Sequence, residues 1–289
     1  MKELVNKRRV EALASVLRGV PPKALEASEA ADPQYQAVSG IVLRHEEKGV
    51  AIVVANALVS YRLPKHGEDY WMDYRRFWER RPTPTSVDEL IEGVVEFLRN
   101  MRVAVLEQKV GRLKRARRVL EAMLEDPFEY RRLTLLYDEL VKSLHGPRYQ
   151  KTVAFAAKMA YYAFRALGAD VEELEAIPVP LDKRFALLTA TSGLLSYDPD
   201  TIYSRLRSEA ERAWRLVADA SGIPPARIDT LLWLPARGIE RLVLKGLIGH
   251  ARDEYTHRLL YYTAGHLDVK KARRIAEEVL YTTEWLSAR

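Results

Sequence analysis

Cysteine is missing from all 289 residues of the sequence. Disulfide frameworks and thiolate metal sites are therefore excluded, and a cytoplasmic location is the simplest expectation. Asparagine and glutamine are scarce, with three and four residues, whereas charged residues make up 30% of the chain. This combination is typical of proteins from thermophilic organisms.

Long apolar runs are also missing. The longest, residues 49–60 (GVAIVVANALVS), is too short to span a bilayer, which needs about 20 residues, so we predict a buried helix there. The charged N-terminal segment MKELVNKRRV is not followed by the apolar core of a signal peptide. We therefore expect no membrane association.

The usual cofactor motifs are absent from the sequence. There is no GxxxxGK[ST] motif, no GxGxxG motif after a strand and no HExxH motif. The six histidines do not form a recognisable set of metal ligands. We therefore expect neither a metal nor a small-molecule cofactor.

The apolar residues recur with helical periodicity along most of the sequence. Alternation typical of strands is nearly absent, glycine is sparse, and proline-containing breaks separate the apolar repeats. The sequence predicts an all-α protein, with helices at roughly 2–18, 33–46, 49–62, 67–80, 86–99, 101–124, 127–143, 149–167, 183–195, 199–220, 229–246, 248–264 and 268–286.

Positive charge is in modest excess and locally concentrated. The formal net charge is +6, and residues 99–118 contain eight lysines and arginines against one acid, Glu107. Such a segment suits contacts with phosphate groups. A solvated helix surface on a thermophilic protein is the simpler explanation, and the phosphate-contacting face stays open as the alternative.

One helical stripe combines lysine with aromatic residues. In residues 148–164 (RYQKTVAFAAKMAYYAF), helical spacing places Lys151, Phe155, Lys158 and Tyr162 on one side. A lysine beside an apolar surface loses its proton more easily, and the neutral amine forms Schiff bases with sugar or carbonyl carbons. The alternative is a solvated face whose lysine stems cover apolar surface.

Two aspartates are candidates to assist such a lysine or to bind a ligand. Asp182 follows the rigid IPVPL segment and precedes the apolar repeat FALLTATSGLL, so it has the position of a helix N-cap. Asp229 and Trp233 are spaced one turn apart after Pro224-Pro225. For these residues, a cap and ordinary core packing are the simpler explanations.

The combination of several motifs is more specific than any one of them. The segments DPQYQAV (32–38), NALVSYRL with GEDYW (56–71), QKTVAFAAKM (150–159), IPVPLDKRFALLT (177–189) and IPPARIDTLLWL (223–234) occur in one order. In this order and spacing, the sequence resembles the archaeal 8-oxoguanine DNA glycosylase family, a divergent branch of the helix-hairpin-helix glycosylases. It lacks the glycine-rich hairpin of that superfamily and has only Gly146-Pro147 before Lys151.

The resemblance implies a fold and a division of the chain. It implies two interlocked helical subdomains with a cleft between them, as in helix-hairpin-helix glycosylases, with extra C-terminal helices. We accordingly expect a glycosylase domain in residues 1–240 and a helical extension, residues 241–289, packed on it.

The resemblance also implies roles for individual residues. Lys151 matches the catalytic lysine and Asp182 the catalytic aspartate. Phe155 and Trp233 match the aromatic residues that enclose the base once it is flipped out of the duplex. The polar groups that recognise the edge of this base are matched by Gln34, Trp71, Lys158 and Asp229. The implied partner is double- or single-stranded DNA containing oxidised guanine, and the protein is expected to be a monomer that associates with the nucleoid.

The implied reaction has two stages. A base inside a duplex must be flipped into a pocket before it is excised. The lysine amine then displaces 8-oxoguanine, and the resulting Schiff base permits β-elimination, which nicks the strand.

Two alternatives from other classes remain. Arg252 and His257 have the R-x4-H spacing of HEPN-like helical ribonucleases, a short pattern that often occurs by chance. The second alternative is a helical protein that binds damaged DNA without catalysis.

Overall fold

The computed structural model describes residues 4–145 and 151–288, and its all-α architecture confirms the predicted fold class. Within these ranges the chain contains no β-strand, only an isolated parallel bridge between Arg132 and Glu172. The α-helices are α1 (Lys7–Leu17), α2 (Pro22–Ala31), α3 (Pro33–His45), α4 (Gly49–Val59), α5 (Gly67–Glu79), α6 (Val87–Asn100), α7 (Leu106–Arg115), α8 (Arg117–Glu125), α9 (Leu133–Ser143), α10 (Lys151–Ala166), α11 (Lys183–Thr191), α12 (Pro199–Arg205), α13 (Arg207–Ser221), α14 (Pro225–Trp233), α15 (Ile239–Leu244), α16 (Ile248–Tyr262) and α17 (Val269–Val279).

Short 3₁₀ helices connect some of these elements. They comprise Glu46–Lys48, Pro127–Arg131, Leu174–Ala176 and Glu284–Ala288. None of the helices described here is long and apolar enough to cross a membrane.

The chain divides into two compact units. The central unit consists of Pro33–Ile177, and the terminal unit consists of the residues up to Asp32 together with those from Pro178 onward. Both ends of the chain therefore contribute to one unit, and a single continuous segment forms the other.

The central unit is built around α4. Every residue of α4 is buried, which confirms the predicted buried helix. Helices α3 and α10 pack along it, and α6, α7 and α8 cover other parts of its surface. A helix that is apolar on all sides is stable only when it is covered on all sides, so α4 fixes the positions of its neighbours.

Arg9 ties the two ends of the chain together inside the terminal unit. Its Nε donates to the carbonyl oxygen of Ser192 at 2.7 Å, and its Nη2 bonds to Glu278 through both the backbone and the carboxylate. The guanidinium also lies 3.7 Å from the ring centroid of Tyr281. Arg9 is therefore engaged in internal contacts, and α17 belongs to the same core as α1 and α11.

Several predicted helix boundaries were wrong. Helix α2 was not expected, but Pro22 occupies its first turn, where the missing amide proton costs nothing. The predicted helix 101–124 begins only at Leu106, since Arg102 and Val105 have positive φ angles, and it is divided into α7 and α8.

Two further long helices were also predicted as continuous. The segment 199–220 is divided at Leu206, whose backbone is not helical. In place of a helix over 229–246, α14 begins at Pro225 and ends at Trp233, and α15 follows. Periodicity continues across such breaks, which explains why the pattern did not reveal them.

A buried lysine organises the end of α4. Lys109 is completely buried, and its Nζ donates to the carbonyl oxygens of Val59 at 2.7 Å and Tyr61 at 2.5 Å. These carbonyls follow the last turn of α4, which has no helical amide partners for them. Burial lowers the pKa of Lys109 from 10.5 to about 8.

This pKa predicts an unusual dependence of stability on pH. Between about pH 8 and pH 10.5 the unfolded chain keeps the Lys109 proton that the folded chain has released, so the free energy of unfolding rises with pH. At about 1.4 kcal/mol per pKa unit, the gain over this window is up to about 3 kcal/mol. We expect denaturant titrations at pH 7.5 and pH 10 to show this gain in the wild type.

The variant Lys109→Met provides the control, because it fills the same space without titrating. Its stability is expected to lack this rise, while other titrating groups affect both proteins equally. Identical pH dependence in the two proteins would contradict the assignment.

Candidate active site

The exposed end of the lysine and aromatic stripe lies at the start of α10. Lys151 and Phe155 are half-buried, whereas Lys158 is 1% exposed and Tyr162 is fully buried. The Nζ of Lys158 lies 5.2 Å from the ring centroid of Tyr162. The stripe is therefore not a solvated face, and its accessible part is the pair Lys151 and Phe155.

Trp71, on α5, packs against Phe155. Its indole is buried, and its ring centroid lies 6.0 Å from that of Phe155 with the planes inclined at 70°. This edge contact fixes the orientation of the Phe155 ring on the side facing α5. Phe155 is thus held on one side while it remains partly accessible.

Gln34, in the first turn of α3, lies beside the start of α5. Its side chain is buried, and its Nε2 lies 3.4 Å from the position that a Cβ would take at Gly67. Gly67 and Trp71 are one turn apart on the same side of α5. Gln34, Trp71 and Phe155 therefore line one region of the central unit.

Helix α3 is held against α10 next to this region. Tyr35 meets Tyr162 edge-on, with 5.2 Å between the ring centroids. The central unit thus contains Gln34, Trp71, Lys151, Phe155 and Lys158, five of the predicted site residues, and the contacts described place Gln34, Trp71 and Phe155 in one region. Residues 146–150, which include Gly146-Pro147 of the expected hairpin, lie outside the described residues.

The other three predicted residues lie in the terminal unit. Asp182 is the N-cap of α11, as predicted, and its Oδ1 accepts a hydrogen bond from the amide of Phe185 at 2.8 Å. Its Oδ2 accepts a hydrogen bond from the indole Nε1 of Trp233, also at 2.8 Å. Both carboxylate oxygens are thereby oriented, and each retains a lone pair for a further partner.

Asp229 lies one turn before Trp233 on α14. The sequence left open a capping role for Asp229, but the helix begins at Pro225, so Asp229 is inside it. Its side chain is buried, with 4% exposure. A buried carboxylate inside a helix cannot act as a cap, and its surroundings in the protein must satisfy it.

Arg184 is a further member of this group that the sequence did not indicate. Its guanidinium carbon lies 3.7 Å from the ring centroid of Trp233, and its Nη1 donates to the carbonyl oxygen of Trp233 at 3.2 Å. The guanidinium therefore fixes one side of the indole whose N–H holds Asp182. In the sequence, the only indication of a role for Arg184 was its position two residues after Asp182.

The tail motif is engaged in a structural role. Arg252 donates from Nε to the carbonyl oxygen of Leu280 at 2.9 Å and from Nη2 to that of Tyr281 at 3.1 Å. These bonds hold the segment after α17 and direct the guanidinium into the protein. Across the described ranges, no group of three or more histidine or acidic side chains is arranged to hold a metal ion.

Comparison with known proteins identifies the family. A family model described as AGOG, N-glycosylase/DNA lyase, matches residues 14–258, from α1 into α16. The N-glycosylase/DNA lyase of Pyrobaculum aerophilum is 34% identical over 224 residues, which cover 73% of this chain and 79% of that protein. The enzyme of the same name from Aeropyrum pernix is 29% identical over 272 residues, which cover 88% and 93%.

A solved structure has the same fold. It is the crystal structure of the 8-oxoguanine DNA glycosylase from Pyrobaculum aerophilum in complex with 8-oxoguanosine. Its TM-score is 0.68 at 27% sequence identity, with 90% of this chain and 97% of that chain covered. These matches do not favour the ribonuclease or the non-catalytic alternative, and the chain belongs to the AGOG family of N-glycosylase/DNA lyases.

Proposed function

We propose that this protein excises 8-oxoguanine from DNA and then nicks the strand, with Lys151 as the nucleophile. The observation that carries the proposal is the half-buried pair Lys151 and Phe155 on α10, which is otherwise buried over most of its length. The family supplies the reaction class, and the bound 8-oxoguanosine of the Pyrobaculum protein supports the choice of base.

Aromatic stacking would hold the extruded base. Phe155 and Trp233 are both half-buried, so each has ring surface to offer. Stacking contributes about 1–3 kcal/mol per aromatic contact, which offsets part of the cost of unstacking the base. Trp71 packs against the Phe155 ring and Arg184 against the Trp233 ring, and these contacts orient the two rings.

Polar groups would distinguish the oxidised base from guanine. 8-Oxoguanine has an N–H donor at N7 and a carbonyl at C8, where guanine has only an acceptor and a C–H. The amide oxygen of Gln34, at a buried position, is a suitable acceptor for that N–H, a donor that guanine lacks. We assign Trp71, Lys158 and Asp229 to the other polar edges of the base.

The chemistry begins with the neutral amine of Lys151. It attacks the anomeric carbon of the sugar, the bond to the base breaks, and the base leaves with the bonding electrons and takes up a proton. Ring opening gives a Schiff base between Lys151 and the sugar. Loss of a proton from the neighbouring carbon then expels the 3′ phosphate and nicks the strand.

Asp182 would stabilise the positive charge that develops on the sugar and relay the lysine proton. A carboxylate is effective here only if it is oriented before the reaction. The amide of Phe185 and the indole of Trp233 provide that orientation, one bond to each oxygen. The remaining lone pairs are left for the sugar and the proton.

The assembly and location of the protein are also proposals. We propose a monomer that works in the cytoplasm on nucleoid DNA and accepts oxidised guanine in double or single strands. The division into a glycosylase domain over residues 1–240 and an extension over 241–289 likewise stays a prediction.

The nucleophile is tested by borohydride trapping. The wild type and Lys151→Gln are incubated at elevated temperature with a labelled duplex that carries one 8-oxoguanine. We expect a covalent adduct with the wild type and none with Lys151→Gln, because borohydride reduces a Schiff base to a stable amine and the proposed reaction forms that Schiff base on Lys151.

The matched control is Lys142→Gln, the same change at an exposed lysine of α9. This variant should be trapped as fully as the wild type. An adduct that persists in Lys151→Gln would assign the reaction to another lysine, and no adduct from the wild type would refute the proposed function.

The role of Asp182 is tested by Asp182→Asn. Asparagine caps helices about as well as aspartate, but its amide nitrogen cannot accept the hydrogen bond from Trp233, so the melting temperature should fall modestly. The lost negative charge should slow single-turnover base excision by about 100-fold or more.

Asp198→Asn is a matched control, because Asp198 is also an N-cap aspartate of the terminal unit, where it caps α12. Its excision rate should equal that of the wild type. Equal rates in the two variants would mean that Asp182 is only a cap.

A further inference from the structure

The structure separates the basic residues of segment 99–118 by what each one does. Lys109 is buried and bonds to backbone carbonyls at the end of α4. Arg117 forms a two-pronged pair with Asp88, in which Nη2 lies 2.8 Å from Oδ2 and Nη1 contacts Oδ1. Neither residue is suited to bind an external phosphate. Only some of the basic residues in the segment can therefore contribute to phosphate binding.

Arg112 instead lies at the end of α10 that carries Lys151. Its Nη2 donates to Oγ1 of Thr152 at 2.5 Å, and Thr152 is the residue next to Lys151. The guanidinium of Arg112 is therefore adjacent to the first turn of α10. A group bound there would lie next to the proposed nucleophile.

Arg115 extends this positive charge along α7. It follows Arg112 by three residues, so the two side chains lie on the same side of the helix. Arg115 is exposed, and its Nη1 folds back to 3.6 Å from the position of a Cβ at Gly111. Of these two arginines, Arg112 is half-buried and Arg115 is open to solvent.

Arg62 completes the group from the loop after α4. It is exposed and has a left-handed backbone with φ of 47°, an unfavourable conformation for a residue with a side chain. Lys109 fixes this loop through the carbonyl of Tyr61, the preceding residue, and its Nζ lies 4.5 Å from the centroid of the Tyr61 ring. The position of Arg62 is therefore set by a buried contact.

The three arginines occupy neighbouring positions around Tyr61. Arg62 follows Tyr61 in the chain, and Lys109, which binds the Tyr61 carbonyl, lies one turn before Arg112 on α7. Burial raises the pKa of Tyr61, and the charges of Arg112, Arg115 and Arg62 each act to lower it. We call Arg62, Arg112 and Arg115 the arginine cluster.

We propose that the arginine cluster binds phosphates of the damaged DNA strand, next to the nucleotide that Lys151 attacks. The proposal rests on the proposed function of Lys151 and adds the groups that hold the strand in place. The planar fork of arginine matches the oxygens of a phosphate and keeps its charge at every relevant pH. Phosphate contacts position a protein on DNA without reading the sequence, which suits an enzyme that must find a damaged base in any context.

The double variant Arg62→Gln/Arg115→Gln tests the proposal. Both positions are exposed, so the fold should be unaffected. The Kd for a duplex with one 8-oxoguanine is measured by fluorescence anisotropy from 50 to 200 mM KCl, with Lys151→Gln in every protein so that the DNA stays intact. Losing two phosphate contacts should lower the slope of log Kd against log salt concentration by about 2 and weaken binding about tenfold or more at 100 mM.

The matched control is Lys114→Gln/Arg117→Gln, which removes the same net charge from the same segment. Arg117 is neutralised by Asp88, and Lys114 points away from Arg112 on α7. This control should change the slope by less than about 0.5. Equal slope changes in the two double variants would mean general attraction to DNA and would overturn the arginine cluster as a site.

The outcomes separate this proposal from the proposed function. An unchanged slope in Arg62→Gln/Arg115→Gln, together with a trapped adduct from the enzyme with Lys151 intact, would refute the phosphate site and leave the enzyme function standing. The expected slope change without any adduct would refute the function and support the phosphate contacts. The further variant Arg112→Gln should lower the slope by about 1 more.

Discussion

The complete burial of α4 is the constraint on which the central unit depends. Its eleven residues are almost all apolar, and Asn56, the polar exception, accepts a hydrogen bond from the hydroxyl of Tyr70 at 2.8 Å. Because α4 is buried on every side, the helices around it must cover it completely and pack closely against it. Helix α10 covers one of those sides, and so the position of Lys151 follows from the packing of α4.

The end of α4 links this packing to the arginine cluster. The carbonyls that the helix leaves unpaired are satisfied by Lys109, whose burial would be costly without them. The same contacts set the loop that presents Arg62. One buried amine thus connects the core of the central unit with a charged surface beside α10.

In the terminal unit, the main feature is a carboxylate held in a fixed orientation. Asp182 is held by one hydrogen bond from its own helix and by one from Trp233, which Arg184 fixes in turn. The rigid segment before Asp182 contains Pro178 and Pro180, which restrict where the helix begins. An aspartate so oriented remains partly accessible, as the catalytic role proposed for Asp182 requires.

The sequence by itself determined the all-α class, the buried helix at residues 49–60, the N-cap at Asp182 and the stripe on α10. These features depend on local rules of periodicity and capping, which a single chain segment carries. Only the tertiary structure decided which side of α10 is accessible, that Asp229 lies inside a helix, and that Arg184 packs on Trp233. It also decided which basic residues of the segment are engaged inside the protein, because ion pairing and burial depend on partners far away in the chain, such as Asp88 for Arg117 and Val59 for Lys109.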